Sequence, residues 1–435
     1  MTKYQRFFST IYFVKIKDNK AGDTMNKSDF TLQSIELKDK KVFRDTIHNY
    51  IHVDHTLILD LINSAAMQRL KRIKQLGGIY QVYPGAEHSR FTHSLGVYAI
   101  VYRMLKESVV KDYLNDYQQL TVMVAGLLHD IGHGPFSHCF EHIFHHHHEQ
   151  YTTKIIRQDP EIYWLLENCV TGLSEDVCAV IEKKHPDSIL IQMISSQLDC
   201  DRMDYLLRDS YFTGTTYGHF DLARLLRIMA VRSGKIVYKQ SGVQAIENYI
   251  LARYHMYWQV YYHPTTRCYE QILIALFKRM QDLYDQGQLV DDVTYFVPFL
   301  KGNVSVADYL QLDENICFYY IRTLCNSQDA ILKDLAYRFL NRKLFVYEDY
   351  RDLKQKQEIE KLCLDHGFDP RYYVFVDDQM QIPYLHYGHS DDIREIQIIT
   401  ERGLVSLSTV SEIVGAIIHS KKNKVDSKIY YPQII

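Results

Sequence analysis

Apolar residues recur at helical spacing through most of the chain. Ile58, Leu61, Ile62, Met67, Leu70 and Ile73 mark one face of a helical stretch. Arg69, Lys71, Arg72 and Lys74 fall between them and read as its solvated outer face. A second helix, capped by Thr92 or Ser94, is expected to run to about position 110 with His93 in its first turn. The apolar run 120–128 is also helical and must stop at Gly132, Gly134 and Pro135. Asp199 is placed to cap another helix, 245–261 reads as a long one, and helices continue to about 341. The pattern differs at both ends. Residues 31–53 alternate weakly, as short strands do. Beyond 341, 344–347, 372–376 and 393–399 read as strands, with helices over 352–365 and 409–419. The expected fold is mainly α: a helical domain over 25–341 and a small α+β lobe over 342–435, with 1–24 a disordered extension.

Composition narrows the function classes. Of 435 residues, 46% are apolar and 24% charged, the balance of an ordinary globular protein. The formal charge of −3, with both signs interspersed, does not indicate a nucleic-acid binder. No apolar run has the length of a membrane span. The eight cysteines, Cys139, Cys169, Cys178 and Cys200 among them, form no C-x-x-C pair, which fits reduced thiols in a cytoplasmic protein.

The chemistry concentrates where the helical pattern breaks. His129 and Asp130 close the 120–128 run, and His133 and His138 follow in a glycine-rich turn. Three imidazoles and a carboxylate within ten residues make a poor core and a good metal or phosphate site. A four-histidine run ends at His148-Glu149, which opens the next helix; the rest of the run reads as solvated. Asp201, Tyr205 and Asp209 share one helix face with Arg202 at its edge. That face is either a salt-bridged surface or a cavity wall, and the flanking Met203, Leu206 and Leu207 favour the cavity. Arg253 lies in an aromatic stripe with Tyr257 and Tyr261 and needs an anion, either a structural carboxylate or a ligand phosphate. Two imidazoles (His93, His129) and two carboxylates (Asp130, Asp201) suit one borderline divalent ion: Mn²⁺, Mg²⁺, Fe²⁺ or Zn²⁺.

His93, His129-Asp130 and Asp201 resemble the H…HD…D signature of the HD-domain metal-dependent phosphohydrolases. The longer motifs are Lys74-Gln-Leu-Gly-Gly, Arg90-Phe-x-His-Ser-Leu-Gly, Gly126-x-x-His-Asp-x-Gly-His-Gly-Pro-Phe-Ser-His and Asp199-x-Asp-Arg-x-Asp-Tyr-x-x-Arg-Asp. They are similar to those of the deoxynucleoside triphosphate (dNTP) triphosphohydrolases, over about 41–347. The resemblance implies an HD-type helical core and hydrolysis of dNTPs to deoxynucleoside and triphosphate. One divalent metal per subunit, Mg²⁺ or Mn²⁺ first, would be held by His93, His129, Asp130 and Asp201. His148 would protonate the leaving oxygen, with His133 and His138 on the phosphate side. Arg90, Arg202 and Arg253 would hold phosphates. Gln75 and Asp209 would bind the sugar 3′-hydroxyl, Leu76 would crowd C2′, and Tyr205 and Tyr261 would pack on the sugar. A homo-oligomer, tetramer or dimer, is implied as well. Lys41-Val42 is retained, but Asn63, Lys71 and Arg44 depart from the vertebrate pattern, so the resemblance leaves open whether a guanine nucleotide activates this chain or another nucleotide arrangement regulates it. Another HD phosphohydrolase, acting on monophosphates, cyclic nucleotides or alarmones, and a non-catalytic nucleotide-binding module are the alternatives.

Overall fold

The computed structural model describes residues 25–434 apart from 145–146, 381–394 and 420–424; a few further side chains, His138 among them, also fall outside the description. The 1–24 extension lies outside it. The described residues are mainly α-helical. An antiparallel hairpin, β1 (Glu36–Asp45) and β2 (Asn49–His55), opens the chain and answers to the 31–53 expectation. Then come α1 (Thr56–Asn63), α2 (Ala65–Arg69), α3 (Arg90–Glu107), α4 (Asp116–Leu128), α5 (His138–Phe144), α6 (His148–Gln158), α7 (Pro160–Cys169), α8 (Leu173–Ile181), α9 (Ser188–Ile194), α10 (Cys200–Thr213) and α11 (Leu222–Arg227).

The helices that carry the site are set by local chemistry. Asn115 and Gln118 form a capping box at the start of α4, and its interior from Leu120 to Leu128 is buried throughout. Burying each such leucine is worth roughly 1.5–3 kcal/mol. Asp199 caps α10 by accepting from the Arg202 amide, as its sequence position indicates. The expected cap of α3 is corrected. Ser89 is the N-cap residue and makes no side-chain cap bond, and Thr92 Oγ1 donates back to the Ser89 carbonyl. Helices α3 and α10 cross closely at Gly96, where an added Cβ would collide with Asp204 and Arg208.

A hairpin, β3 (Met229–Arg232) and β4 (Lys235–Lys239), follows α11. Next, α12 (Val243–Met256) ends in a π-helical turn at Tyr257–Tyr261, so the continuous helix read over 245–261 is in fact an α-helix with a widened last turn. Then come α13 (Pro264–Asp285), α14 (Val297–Leu300), α15 (Val306–Gln311), α16 (Glu314–Leu324) and α17 (Ala330–Leu340).

Beyond residue 341, β5 (Val346–Asp349), α18 (Leu353–Asp365), α19 (Pro370–Tyr373), β6 (Phe375–Met380), β7 (Gln397–Thr400), β8 (Gly403–Ser406), α20 (Leu407–Val410), α21 (Glu412–His419) and β9 (Val425–Tyr431) form two sheets. One has the order β5-β9-β6. The other, β3-β4-β7-β8, joins β7 in parallel to β4 of the preceding part of the chain. The main apolar cluster likewise continues from Phe30 through to Tyr430, and a small separate one holds Ile359, Cys363, Val374 and Ile429. The strand expected over 372–376 begins late because Asp369 caps a helical turn with Pro370 at its first position. Arg69 is also corrected: it is 2% exposed, donating to the carbonyls of Leu312 and His133 over the Tyr309 ring. Among the described residues, all eight cysteines are free and no helix is long and apolar enough to cross a membrane.

Candidate metal centre and its cleft

His93 stands in the first turn of α3, His129 and Asp130 follow the last residue of α4, and Asp201 lies in the first turn of α10. The fold brings these four together. His93 Nε2 is 3.1 Å from Asp201 Oδ1 and 3.7 Å from Asp130 Oδ2. His129 Nε2 is 3.4 Å from Asp130 Oδ1 and 3.6 Å from Asp201 Oδ1. Both rings are oriented from behind. His93 Nδ1 lies 2.8 Å from Asp204 Oδ2, and His129 Nδ1 lies 2.9 Å from the Gly126 carbonyl. Those acceptors place the ring proton on Nδ1 and leave each Nε2 lone pair aimed at the carboxylates. His129 Nε2 is buried with no hydrogen-bond partner among the described residues. Burial opposes charge on His93, but Asp201, Asp204 and Asp130 outweigh it and raise its pKa to about 10. Burial likewise opposes charge on Asp130, yet His129, His133 and Arg90 hold that carboxyl well below its usual range. A cluster of carboxylates that draws a proton onto a buried imidazole is a cluster suited to a cation. The donor set fits a divalent ion held by His93, His129, Asp130 and Asp201.

The turn after Asp130 is built to hold its position. Thr152 Oγ1 donates to the His129 carbonyl and accepts from Gly132 N, and Tyr309 donates to the Gly132 carbonyl. A Cβ on Gly132 would strike the α6 backbone at His148 and Thr152. Phe136 and Ser137 both adopt positive φ, 59° and 53°, a strained conformation for residues with side chains. In this conformation Ser137 Oγ accepts from Arg90 Nε at 3.0 Å.

A second group, Asp130, His133 and His148, also brings possible ligand atoms together. The His133 and His148 rings stack at 3.9 Å, 14° from parallel. Ring nitrogens of stacked imidazoles point side by side, not at a common point, so this pair is poorly arranged to chelate one ion. It is well arranged to face two oxygens of one anion. Glu141 Oε1 lies 2.7 Å from His148 Nδ1 and 3.4 Å from His133 Nδ1. Burial, with Arg90 and His148 nearby, keeps His133 well below the usual imidazole pKa.

Comparison with known proteins matches this arrangement. Residues 90–209, which carry all four proposed ligands, match the HD domain, and 220–434 match the HD associated region. The chain belongs to the HD-domain phosphohydrolase family. It is 44% identical to the uncharacterised protein YwfO of Bacillus subtilis over 92% of this chain and 93% of that one. The human deoxynucleoside triphosphate triphosphohydrolase SAMHD1 is 28% identical over 370 residues, 75% of this chain and 58% of that protein. A crystal structure of a phosphohydrolase from Bacteroides thetaiotaomicron superposes with a TM-score of 0.81 at 29% identity, covering 91% of this chain and all of that one.

The other expected site residues of this HD phosphohydrolase fall into two sets. Arg90 is already engaged: besides Ser137, it reaches Asp130 Oδ2 at 2.5 Å and the Gln75 carbonyl at 3.4 Å. It clamps the HD turn to the Gln75 segment. Arg253 is buried and Arg202 half-buried, and each has a buried Nε without a partner among the described residues. Arg202 Nη1 donates to Asp199 and to the Ser196 carbonyl. Arg253 Nη1 donates to Gln197 Oε1, a neutral acceptor, with the Tyr257 ring 5.7 Å away. Tyr205 and Tyr261 meet edge to face at 6.1 Å, and Tyr261 donates to Asp209 at 2.8 Å. Gln75 is buried with Oε1 unpartnered among the described residues, and Leu76 is half-buried against the core. The His138 side chain lies outside the described residues.

Sequence reading missed Asp204, His48, Glu141, Gln197 and His88, the last of which holds Asp209 Oδ1 at 2.7 Å. Each acts by orienting another residue, and no spacing rule marks such a partner. Asp204 lies inside the Asp199-x-Asp-Arg-x-Asp motif, which marks the stretch but not the residue's role.

Proposed function

We propose that this HD phosphohydrolase cleaves dNTPs to deoxynucleoside and inorganic triphosphate. One observation carries the reading. Arg202 on α10 and the buried Arg253 on α12 each keep a buried Nε without a partner among the described residues, near the edge-to-face pair Tyr205 and Tyr261, and α10 also carries the proposed ligand Asp201 in its first turn. Guanidiniums so placed suit a multiply charged phosphate chain, and phenol rings with a carboxylate suit a sugar. The resemblance of the motifs and the named activity of SAMHD1 point the same way.

In this reading the oxygen of a water forms the new bond to the α-phosphorus, the bond to the 5′-oxygen breaks, and a proton passes to that oxygen. A divalent ion at His93, His129, Asp130 and Asp201 supplies charge neutralisation and acidifies water. His148 is the proton donor. Glu141 fixes it through Nδ1, which leaves Nε2 as the atom that gives up the proton. His133, kept neutral by burial and by Arg90, lies flat against His148 and limits where that ring can turn. Arg202 and Arg253 grip the triphosphate. Asp209, held by His88 and Tyr261, accepts from the sugar hydroxyl, and the half-buried Leu76 closes off C2′. The test is incubation of the purified chain with each dNTP and Mn²⁺ or Mg²⁺, singly and in pairs, with products resolved by ion exchange. Tripolyphosphate supports the reading. Mono- or diphosphate alone points to another HD phosphohydrolase reaction, and saturable binding without turnover points to a binding module.

A further inference from the structure

Asp204 is fully buried and completely satisfied. Its Oδ2 faces His93 Nδ1 at 2.8 Å and Arg208 Nε at 2.8 Å; its Oδ1 faces His48 Nε2 at 2.7 Å and Arg208 Nη2 at 2.9 Å. The Arg208 fork takes one lone pair of each oxygen. The remaining positions go to two imidazoles, His93 from α3 and His48 from a distant part of the chain. His48 belongs to the turn between β1 and β2, whose strands lie largely on the surface, with Val42 and Tyr50 49% and 57% exposed. The turn is anchored a second time. Asp45 Oδ1 accepts from the Ile47 and His48 amides, and the same carboxylate receives Arg208 at 2.9 Å. A surface hairpin thus reaches the metal centre through one uninterrupted set of buried hydrogen bonds.

We propose that His48 is a positioning residue of the metal centre. It holds the far oxygen of Asp204, so that the near oxygen fixes the His93 ring with Nε2 toward the ion. The inference rests on the metal-centre reading above. Without the His48 donor, Asp204 turns about its Arg208 fork and His93 loses its fixed orientation. Groups one step behind a metal ligand usually change metal affinity by about 10–100-fold when removed, because the ligand must then be ordered at the moment of binding. A cleft of about 230 Å³ between β2 and α3, bounded by His48, His52, Tyr102 and Lys106, opens beside the same turn. It gives a small heterocycle a route to the position of a deleted His48 ring.

The test measures Mn²⁺ binding by calorimetry on chelator-stripped full-length protein, independently of turnover. His48→Gln keeps a donor where Nε2 stands, and His48→Asn does not reach it. The expected result is Mn²⁺ affinity within about threefold of wild type for His48→Gln and about 10–100-fold weaker for His48→Asn and His48→Ala, with added imidazole recovering part of the loss in His48→Ala. Should His48→Ala fail to fold, the Gln and Asn pair carries the comparison. Equal Mn²⁺ affinity in wild type, His48→Gln and His48→Asn overturns the inference alone. An equal loss in the Gln and Asn variants overturns it too, by showing that the site needs the ring and not its donor. No Mn²⁺ binding by wild type overturns the metal centre and this inference together.

Discussion

His133 and His148 stack face to face, with ring centroids 3.9 Å apart, and Glu141 reaches toward both from one edge. The stack separates the duties of two neighbouring histidine groups. His93 and His129 point their lone pairs at shared carboxylates. His133 and His148 stand side by side and suit proton transfer to a bound anion. His148→Ala should therefore lower kcat by about 10²–10⁴-fold while leaving bound metal, measured by elemental analysis, at the wild-type level. Glu141→Gln should lose less, because an amide oxygen still accepts from Nδ1. A drop in metal content on changing His148 would place that residue among the ligands.

Changing a ligand should have the opposite signature. Asp201→Asn or His129→Ala should abolish the thermal shift produced by Mn²⁺. In wild type that shift should correspond to about 2.7 kcal/mol when the ion is present at one hundred times its dissociation constant. Differential scanning with and without the ion reads it directly, with no substrate in the cell.

Glu314 predicts a dependence of stability on pH. Its carboxylate accepts from the amides of Lys74 and Phe136, tying the Gln75 segment to the HD turn, and burial raises its pKa to about 7. The folded state then keeps a proton that the unfolded chain has released above about 4.3. Stability from this group is fully present below that value and is lost as pH rises toward 7, by about 3 kcal/mol at most. Glu314→Gln should flatten this part of the profile, and the difference between the two denaturant curves from pH 4.5 to 7 isolates it from other titrating groups.

Gly96→Ala tests how closely α3 and α10 must approach. An added methyl has no room beside Asp204 and Arg208, so the helices must separate or the carboxylate must turn. The expected cost is about 1–3 kcal/mol of stability. A fall in Mn²⁺ affinity should accompany it, because the displaced Asp204 is the group that orients His93.

The helical core and the four candidate ligands, which the fold brings together, were legible in the sequence because each rests on a local signal. The 120–128 run, the glycines behind His129-Asp130 and the Asp199 cap all show in one stretch of chain. Arg69 was misread for the opposite reason: it sits among surface cations in sequence, yet it is buried by Leu312 and Tyr309, more than 200 positions away. The π-turn at Tyr257–Tyr261 was hidden because a widened turn leaves helical spacing nearly intact. His48 carried no signal, since a lone histidine at a hairpin turn gains its meaning only from Asp204, 156 residues on. The pairing of β7 with β4 was invisible because parallel partners leave no mark in either strand.

The most direct test of the account is the identity of the phosphorus-containing product. Purified protein incubated with each dNTP and Mn²⁺, singly and in pairs, should release deoxynucleoside and intact tripolyphosphate in equal amounts, and the His148→Ala protein should release both about 10²–10⁴-fold more slowly. Orthophosphate or pyrophosphate as the only phosphorus product, or no turnover in any mixture despite saturable binding, would contradict it.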